Sequence, residues 1–339
     1  MNNIAIVGAG IIGMTNAIRL LEKGFSVTVF TKDKPLETNS DAAVANWFTA
    51  DDSKPLLQRY CLESITRFSE LMDKEGPRSG IQRIPLILYF KSKEDFEKSV
   101  WASEFLKKSV NLTDAPAERA QVPGFPFAVL IHNLLMHPAI YRPYMLKRFT
   151  GLGGKLKNQK VNFLSELIND YDIVINSAGW EAEFLTKDPH VYPIRGQTET
   201  MEVPKNSGNY SLNVEGIDAY VVFRPLTKDC VIGTTYQVGD SGSEVRESDK
   251  RAIVKKISKF FPYVSEVKTR SKAGVRCGRS DVRIETEKVN NTNGEEKLII
   301  HCYGHGGSGY SASWGSADAV LDHCIAFTHD MKPNFRLSI

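Results

Sequence analysis

The sequence lacks any marked imbalance of charge. Its 339 residues include 43 lysines and arginines and 40 aspartates and glutamates, for a formal net charge of +3. These charges are spread along the chain, so they create no long-range field of one sign that would attract nucleic acid or a membrane surface. We therefore expect neither a nucleic-acid partner nor a membrane partner.

Long apolar runs are also missing. The longest, such as residues 125–135, are interrupted by polar residues and fall short of the roughly 20 residues that a helix needs to cross a bilayer. The N-terminus shows no basic segment followed by an apolar core, and residues 335–339 do not form a peroxisomal address. We expect a cytoplasmic protein.

Cysteine is scarce, and several well-known catalytic motifs are missing. The five cysteines are dispersed and never form a Cys-x-x-Cys pair, which argues against a disulfide framework and a structural zinc site. We predict reduced thiols and no metal. The sequence also contains no GxSxG, HExxH or GxxxxGK[ST] pattern, so hydrolase, zinc-protease and P-loop functions lack their minimum parts.

The start of the chain does contain the pattern of a βαβ unit. Residues 4–7 form a short apolar run typical of a strand that is buried on both faces of a parallel sheet. A helix is predicted over residues 14–23, where Gly24 ends it, and a second strand over residues 25–30.

Three glycines lie between the first strand and the helix, in the pattern G-x-G-x-x-G. Gly8 permits a tight turn, Gly10 lets the backbone approach a pyrophosphate, and Gly13 lets helix and strand pack closely. Free amides at the start of the helix then face the phosphate charge. The pattern predicts a bound dinucleotide, and a glycine-rich turn without a ligand is the alternative.

The fingerprint does not distinguish NAD from FAD. The carboxylate that binds the adenosine ribose usually lies about 20 residues beyond the glycines; here Asp33 could serve only from a loop, and a solvated loop carboxylate is the alternative. A flavin would need distant segments to return and cover it. Three candidates are residues 172–180, 192–197 and 303–311, the last leading into a helix predicted over 312–321.

These segments give the chain a family resemblance. It resembles the D-amino-acid oxidase family, within the larger group that includes glycine and sarcosine oxidases, over nearly its whole length. Besides the fingerprint, the similar stretches are residues 38–47, 176–179, 195–197, 219–225, 233–240, 274–276 and 303–315. Several such motifs in the right order are much harder to obtain by chance than any one of them.

The resemblance implies an α/β fold with a Rossmann-like FAD-binding domain and an inserted α+β substrate domain built on a mainly antiparallel sheet. We expect residues 1–50, 127–200 and 292–339 to form the FAD-binding domain, and residues 51–126 and 201–291 the substrate-binding domain. Alternating segments such as 219–224 and 230–236 predict the antiparallel strands. Residues 285–296, centred on 290–294, predict a hairpin.

The resemblance also implies FAD as the cofactor and a set of residues that bind it. The predicted cofactor-binding residues are Gly8, Gly10, Ile11, Ile12, Gly13, Lys32, Asp33, Asn39, Ser40, Ala45, Asn46, Trp47, Val161, Ser177, Gly179, Gly306, Ser308, Gly309, Tyr310 and Ser311.

Four residues are predicted to serve the reaction. By resemblance, Arg276 binds the substrate carboxylate, as suits its planar guanidinium; the alternative is a structural ion pair. Tyr220 and Tyr236 match tyrosines of the pocket, although strand tyrosines are often packing residues. Gly307 matches the position whose carbonyl accepts a hydrogen bond from the substrate amine. Residues 309–311 would direct helix amides at the flavin N1 and C2 carbonyl.

The substrate expected from this resemblance is a neutral D-amino acid, which is oxidised to a 2-oxo acid and ammonia, with oxygen as the acceptor and hydrogen peroxide as a product. The family member acting on D-aspartate has an arginine where this chain has Tyr236, but Arg224 could reverse the preference if it pointed into the pocket. The alternatives are oxidation of glycine, a secondary amine or a modified amino acid, and a non-catalytic flavin-fold binding protein. The sequence does not determine the oligomeric state, and a homo-oligomer is one possibility.

Overall fold

The computed structural model describes residues 3–49, 53–119, 121–203, 210–217, 219–266 and 268–330. The strands are β1 (Asn3–Val7), β2 (Ser26–Thr31), β3 (Ile81–Phe90), β4 (Thr113–Asp114), β5 (Phe127–Met136), β6 (Lys155–Asn158), β7 (Ile173–Asn176), β8 (Tyr192–Glu202), β9 (Ser211–Val214), β10 (Ala219–Arg224), β11 (Asp229–Gly233), β12 (Gln237–Val238), β13 (Thr269–Gly278), β14 (Arg283–Asn290) and β15 (Glu296–Tyr303). The α-helices are α1 (Ile11–Leu21), α2 (Pro55–Glu75), α3 (Lys93–Glu97), α4 (Glu104–Ser109), α5 (Pro138–Gly151), α6 (Ala182–Thr186), α7 (Glu247–Ile257) and α8 (Ser313–Asp330).

The first sheet has six strands in the order β14-β15-β7-β1-β2-β6. The run from β15 to β6 is parallel, and only β14 pairs antiparallel, at the edge. The predicted βαβ unit is confirmed, because β1 and β2 are parallel neighbours joined through α1. The predicted hairpin is confirmed as well, since β14 and β15 pair from Asn290 and Glu296 outward.

The second sheet has nine strands and is mainly antiparallel. Its order is β12-β8-β11-β10-β9-β3-β5-β4, with β13 on β8. Among its described residues, only β3 and β9 pair in parallel. The long strand β8 pairs with β13 along all but its last residue, which brings residues 192–201 beside residues 269–278. This pairing places two distant parts of the sequence at one wall.

Four of the helices, α1, α2, α5 and α8, share contacts and one core, whereas α7 packs on the second sheet. α8 packs against α1 and α2, and α1 also packs against α5. Their buried side chains join those of β1, β3 and β5 in one core, while α7 covers a second core on β9, β10 and β11. Among the described residues, no helix combines the length and the apolar character needed to cross a membrane.

The α/β class of the predicted fold is confirmed. The division into two discontinuous domains stays a prediction at the bounds proposed above. All five cysteines are buried and form no disulfide.

Candidate active site

A cavity of about 650 Å³ lies between the two sheets, within the roughly 300–1,000 Å³ of pockets that hold small ligands. From the first sheet it is lined by the residues at the carboxyl ends of β1, β2, β7 and β15, and from the second by residues of β8, β10 and β13. In open α/β sheets, ligands bind at this edge of the strands.

The glycine turn forms one end of the cavity. Gly8 has φ +111°, and a Cβ there would lie 2.3 Å from the Ser177 carbonyl oxygen. A Cβ on Gly13 would lie 1.9 Å from the Gly8 carbonyl oxygen. Helix α1 can therefore start this close to β1 only because residue 13 has no side chain. The first helical amide, that of Ile11, donates to Ser40 Oγ at 2.9 Å.

Charged residues lie beside this turn, after β2. Lys32 Nζ lies 2.5 Å from Glu181 Oε1 and 3.7 Å from Asp33 Oδ2. Burial lowers the pKa of Lys32, but its hydrogen bond and attraction to Glu181 outweigh that cost, so the pKa is raised overall. Lys32, Asp33 and Val161 all line the cavity, as a ribose and adenine site after the second strand would require.

The segment from Thr38 to Trp47 runs from this end to the second sheet. Thr38 and Asp41 form a capping box, and Asn39 Oδ1 accepts from the Val275 amide at 2.9 Å. Ala45 adopts φ +58°, a region that L-residues rarely occupy. The backbone of Trp47 then bonds to Leu134 of β5 at 2.8 Å, which anchors the segment across the cavity.

Arg276 extends into the opposite end of the cavity. Its Nη2 donates to Thr234 Oγ1 at 3.2 Å and its Nη1 to the Thr235 carbonyl at 3.4 Å. The guanidinium carbon lies 5.6 Å from the centroid of the Tyr236 ring. In the described part of the chain, no aspartate or glutamate forms an ion pair with Arg276, so its charge is available for an anionic ligand.

Two glycines make room for the large side chains at this end. A Cβ on Gly196 would lie 2.1 Å from Arg276 Nη1, and a Cβ on Gly233 would lie 2.4 Å from the Tyr220 hydroxyl oxygen. Tyr220 and Tyr236 both line the cavity. Tyr236 is 51% exposed, which places it at the rim.

The glycine-rich turn after β15 closes the cavity between its two ends. Gly304 and Gly306 have φ +91° and +52°, and Gly307 lines the cavity. Tyr310 donates its hydroxyl to the Ser40 carbonyl at 2.9 Å, and Ser311 Oγ accepts from the Phe48 amide at 3.0 Å. These bonds hold the turn against the 38–47 segment.

His305 lies in the same turn, and the sequence gives it no chemical role. It is buried, and its Nε2 lies 3.0 Å from Ser316 Oγ. Burial lowers the pKa of His305 to about 3. The imidazole is therefore neutral across the physiological range, and it contributes no positive charge to the cavity.

The cavity brings together the four residues predicted for the reaction and most of those predicted for the cofactor. The cofactor residues that line it are Gly8, Gly10, Ile11, Ile12, Lys32, Asp33, Asn39, Ser40, Ala45, Asn46, Val161, Ser177, Gly179, Gly306, Gly309, Tyr310 and Ser311. Gly13, Trp47 and Ser308 do not line it. Gly13 packs α1 on β1, and Trp47 is buried, donating Nε1 to the Cys61 carbonyl at 3.3 Å. The roles of all these residues remain predictions.

Sequence reasoning did not single out Arg142, Gly196 or Thr234. Arg142 carried one usable signal, since it shares the buried helical stripe of Tyr141, Met145 and Phe149 in α5, where a cation is unusual. Gly196 and Thr234 gave no such signal, because their relation to Arg276 arises from strand pairing.

The residues present fit FAD. The amides at the start of α1 suit a pyrophosphate. The cavity then continues past the 303–311 turn to Arg276, which leaves room for a flavin ring and a small anion beside it.

Comparison with known proteins agrees with this geometry. The D-amino-acid oxidase of Dictyostelium discoideum is 29% identical over 326 residues, covering 93% of this chain and 89% of that protein. The D-amino-acid oxidase of Rubrobacter xylanophilus is 29% identical over 316 residues, with 92% and 93% covered. In fold, the chain is similar to glycine oxidase from Bacillus cereus, with a TM-score of 0.75, 16% identity and 96% of each chain covered.

The family model described as FAD dependent oxidoreductase matches residues 3–323. That match spans both sheets, the glycine turn and Arg276. The chain is therefore an enzyme with FAD as its cofactor, and it belongs to the FAD dependent oxidoreductase family.

Proposed function

We propose that the protein oxidises a neutral D-amino acid to the corresponding imine, which hydrolyses to a 2-oxo acid and ammonia, while oxygen takes the two electrons and yields hydrogen peroxide. The observation that carries this proposal is Arg276: a guanidinium at the cavity wall, without a carboxylate partner among the described residues. A cation in that state suits the carboxylate of an amino acid.

FAD, when bound, supplies the acceptor for the hydride that leaves the substrate α-carbon. The protein's task is to orient the substrate. Arg276 binds its carboxylate, Tyr220 donates its hydroxyl to the same group, and the Gly307 carbonyl accepts from its amine. Tyr236, over the guanidinium, covers the carboxylate end from solvent. The substrate amine must be neutral, so that its lone pair can assist the loss of hydride from the α-carbon. The amine nitrogen then becomes the nitrogen of the imine.

The charges around the cavity favour a neutral side chain. Arg224, which could have bound an acidic side chain, instead donates from Nε and Nη2 to Asp229 at 2.7 and 2.5 Å, and it does not line the cavity. The other charged lining residues, Lys32, Asp33, Lys160 and Glu181, belong to the fingerprint end. A substrate at Arg276 thus meets one cation, which its own carboxylate neutralises.

The test is peroxide release from the FAD-loaded protein with D-alanine, D-valine, D-leucine, D-aspartate, glycine, sarcosine and D-proline. We expect turnover of the neutral D-amino acids to exceed that of D-aspartate. Turnover confined to glycine, sarcosine or D-proline would favour the alternative, oxidation of glycine or a secondary amine. A protein that binds FAD but turns over none of the D-amino acids would refute the proposed reaction.

The variant Arg276→Met tests the carboxylate site itself. We expect the apparent KM for D-amino acids to rise at least about 100-fold, roughly the loss of a charge-assisted bidentate pair, while FAD stays bound. The FAD absorption spectrum of the variant is the control for folding. An unchanged KM would refute the assignment of Arg276.

A further inference from the structure

Arg142 is a buried cation behind the glycine turn. It projects from α5 and is 1% exposed, and it does not line the cavity. A charge this deeply buried is tolerated only where its donors are satisfied. Its partners therefore indicate what it does.

The guanidinium joins the glycine turn to the segment that follows β2. Arg142 Nη2 donates to the Ala9 carbonyl and to the Pro35 carbonyl, each at 2.6 Å, and lies 3.5 Å from Thr38 Oγ1. Its Nε donates to Asp41 Oδ1 at 3.3 Å. One planar group thus contacts two backbone carbonyls and two side chains around the cofactor end.

The contact with Ala9 sets the direction of the next amide. A peptide group is planar and trans, so its N–H points opposite to its C=O. Because the Ala9 carbonyl points at Arg142, the amide of Gly10 points away from Arg142. Gly10 lines the cavity, and no described residue accepts from its amide. The Gly10 N–H is thereby presented to a ligand.

The contact with Asp41 removes a charge that would oppose that ligand. Asp41 Oδ2 accepts from the Thr38 amide and hydroxyl at 3.0 and 2.8 Å, and Oδ1 faces Arg142. Without the guanidinium, this carboxylate would remain as uncompensated negative charge next to the segment that carries Asn39 and Ser40. A pyrophosphate in the cavity would be repelled by it.

We propose that Arg142 is a positioning residue for the cofactor: it holds the Ala9 carbonyl away from the cavity, so that the Gly10 amide faces the pyrophosphate, and it neutralises Asp41. Arg142 touches neither substrate nor cofactor. The inference goes beyond the proposed reaction and is independent of which substrate the enzyme oxidises.

The test is the dissociation constant of FAD, measured by titrating apoprotein with FAD and following flavin fluorescence. Arg142→Met should raise it at least tenfold, which corresponds to about 1.4 kcal/mol. ADP carries the pyrophosphate without the flavin. The affinity of the variant for ADP, measured by calorimetric titration, should fall by a similar factor. Arg142→Lys should fall in between, because an ammonium keeps the charge but not the planar fork.

The matched control is Arg148→Met on the same helix. Arg148 Nη2 lies 2.6 Å from Glu22 Oε1, so its loss removes a partly buried ion pair without touching the glycine turn. If Arg142 had a purely structural role, Arg142→Met would behave like Arg148→Met: its melting temperature would fall and its FAD affinity would not change. FAD and ADP affinities within twofold of the wild type in Arg142→Lys and in any folded Arg142→Met would overturn the proposal, and turnover plays no part in either readout.

Discussion

The position of the Arg276 guanidinium depends on the absence of a side chain at Gly196. Gly196 lies beside it on β8, and a Cβ at that position would come within 2.1 Å of Nη1 and 2.5 Å of the guanidinium carbon. The atoms in conflict are the far end of a flexible side chain, so the fold can adapt by moving the guanidinium. A methyl group at 196 would therefore change the site and leave the sheet in place.

We expect Gly196→Ala to lower kcat/KM for the proposed D-amino-acid substrate by about 10- to 100-fold, because displacing a binding group by about 1 Å can cost that much. Steady-state kinetics and the flavin spectrum measure the effect. Gly151→Ala is the control, since nothing lies within 4 Å of a Cβ at that position. Kinetics of Gly196→Ala equal to those of the wild type would show that the guanidinium position is not set by Gly196.

At the scale of elements, the loop that carries Tyr236 rests on a buried polar network beneath β8. Arg195 is fully buried and pairs with Asp249 of α7, and it also donates to Gln237 Oε1 at 2.8 Å and to the Glu244 carbonyl at 2.6 Å. Gln237 Nε2 donates to Asp249 Oδ1 at 3.0 Å. Helix α7 is thereby joined to both ends of the loop.

Asp249→Asn should destabilise the protein by about 3 kcal/mol, because it leaves the Arg195 charge buried without a counter-ion. We also expect a higher apparent KM with little change in the FAD dissociation constant, since the network supports the substrate end. Denaturant unfolding and steady-state kinetics measure the two effects.

The comparison variant is Asp240→Asn in the same loop. Asp240 pairs with Arg246 at the surface, where such pairs contribute little to stability. Equal destabilisation by the two variants would mean that burial of the Arg195 pair is not what holds the loop.

The elements that the sequence predicted well are those whose evidence is local. The strand, the three glycines and the helix at the N-terminus lie within one stretch of chain, as do β10 and the β14–β15 hairpin, so periodicity and turn residues suffice. Motifs predict Arg276 and Tyr220 as site residues, and both line the cavity. The relation between Gly196 and Arg276 could not be predicted, because it depends on the register that pairs β8 with β13, and register is set by packing of the whole sheet.

The same reason explains why Arg142 was missed. Its partners Ala9, Pro35 and Asp41 lie far from α5 in sequence, and nothing near position 142 indicates them. Trp47 is a different case. A motif predicts it as a cofactor-binding residue, and that role stays a prediction; the structure buries its side chain in the core, where its ring lies 6.1 Å from that of Trp101.

For the molecule as a whole, buried histidines make stability depend on pH. His137 is the N-cap residue of α5, and its Nε2 lies 2.8 Å from Thr227 Oγ1. Burial, followed by repulsion from Arg224, lowers its pKa from 6.5 to about 4, although Asp229 opposes the shift. The unfolded chain therefore binds a proton on His137 at a higher pH than the folded protein does.

The sign follows from that difference. Above the unfolded pKa of 6.5, His137 is neutral in both states; as pH falls from 6.5 towards 4, only the unfolded state gains the proton, and stability is lost. We expect His137→Gln to abolish about 2 kcal/mol of the decline in unfolding free energy between about pH 8 and 5. Urea unfolding at both values measures it, and an equally steep decline in the variant would contradict the assignment.

The burial of two cysteine thiols affects how readily the protein is oxidised. Cys277 and Cys302 line the cavity, and burial raises the pKa of each thiol to about 12. Oxidants attack the thiolate, and near neutral pH almost none is present. Under the proposed function, hydrogen peroxide would form in this cavity, and the protonated thiols of Cys277 and Cys302 would then react with it only slowly.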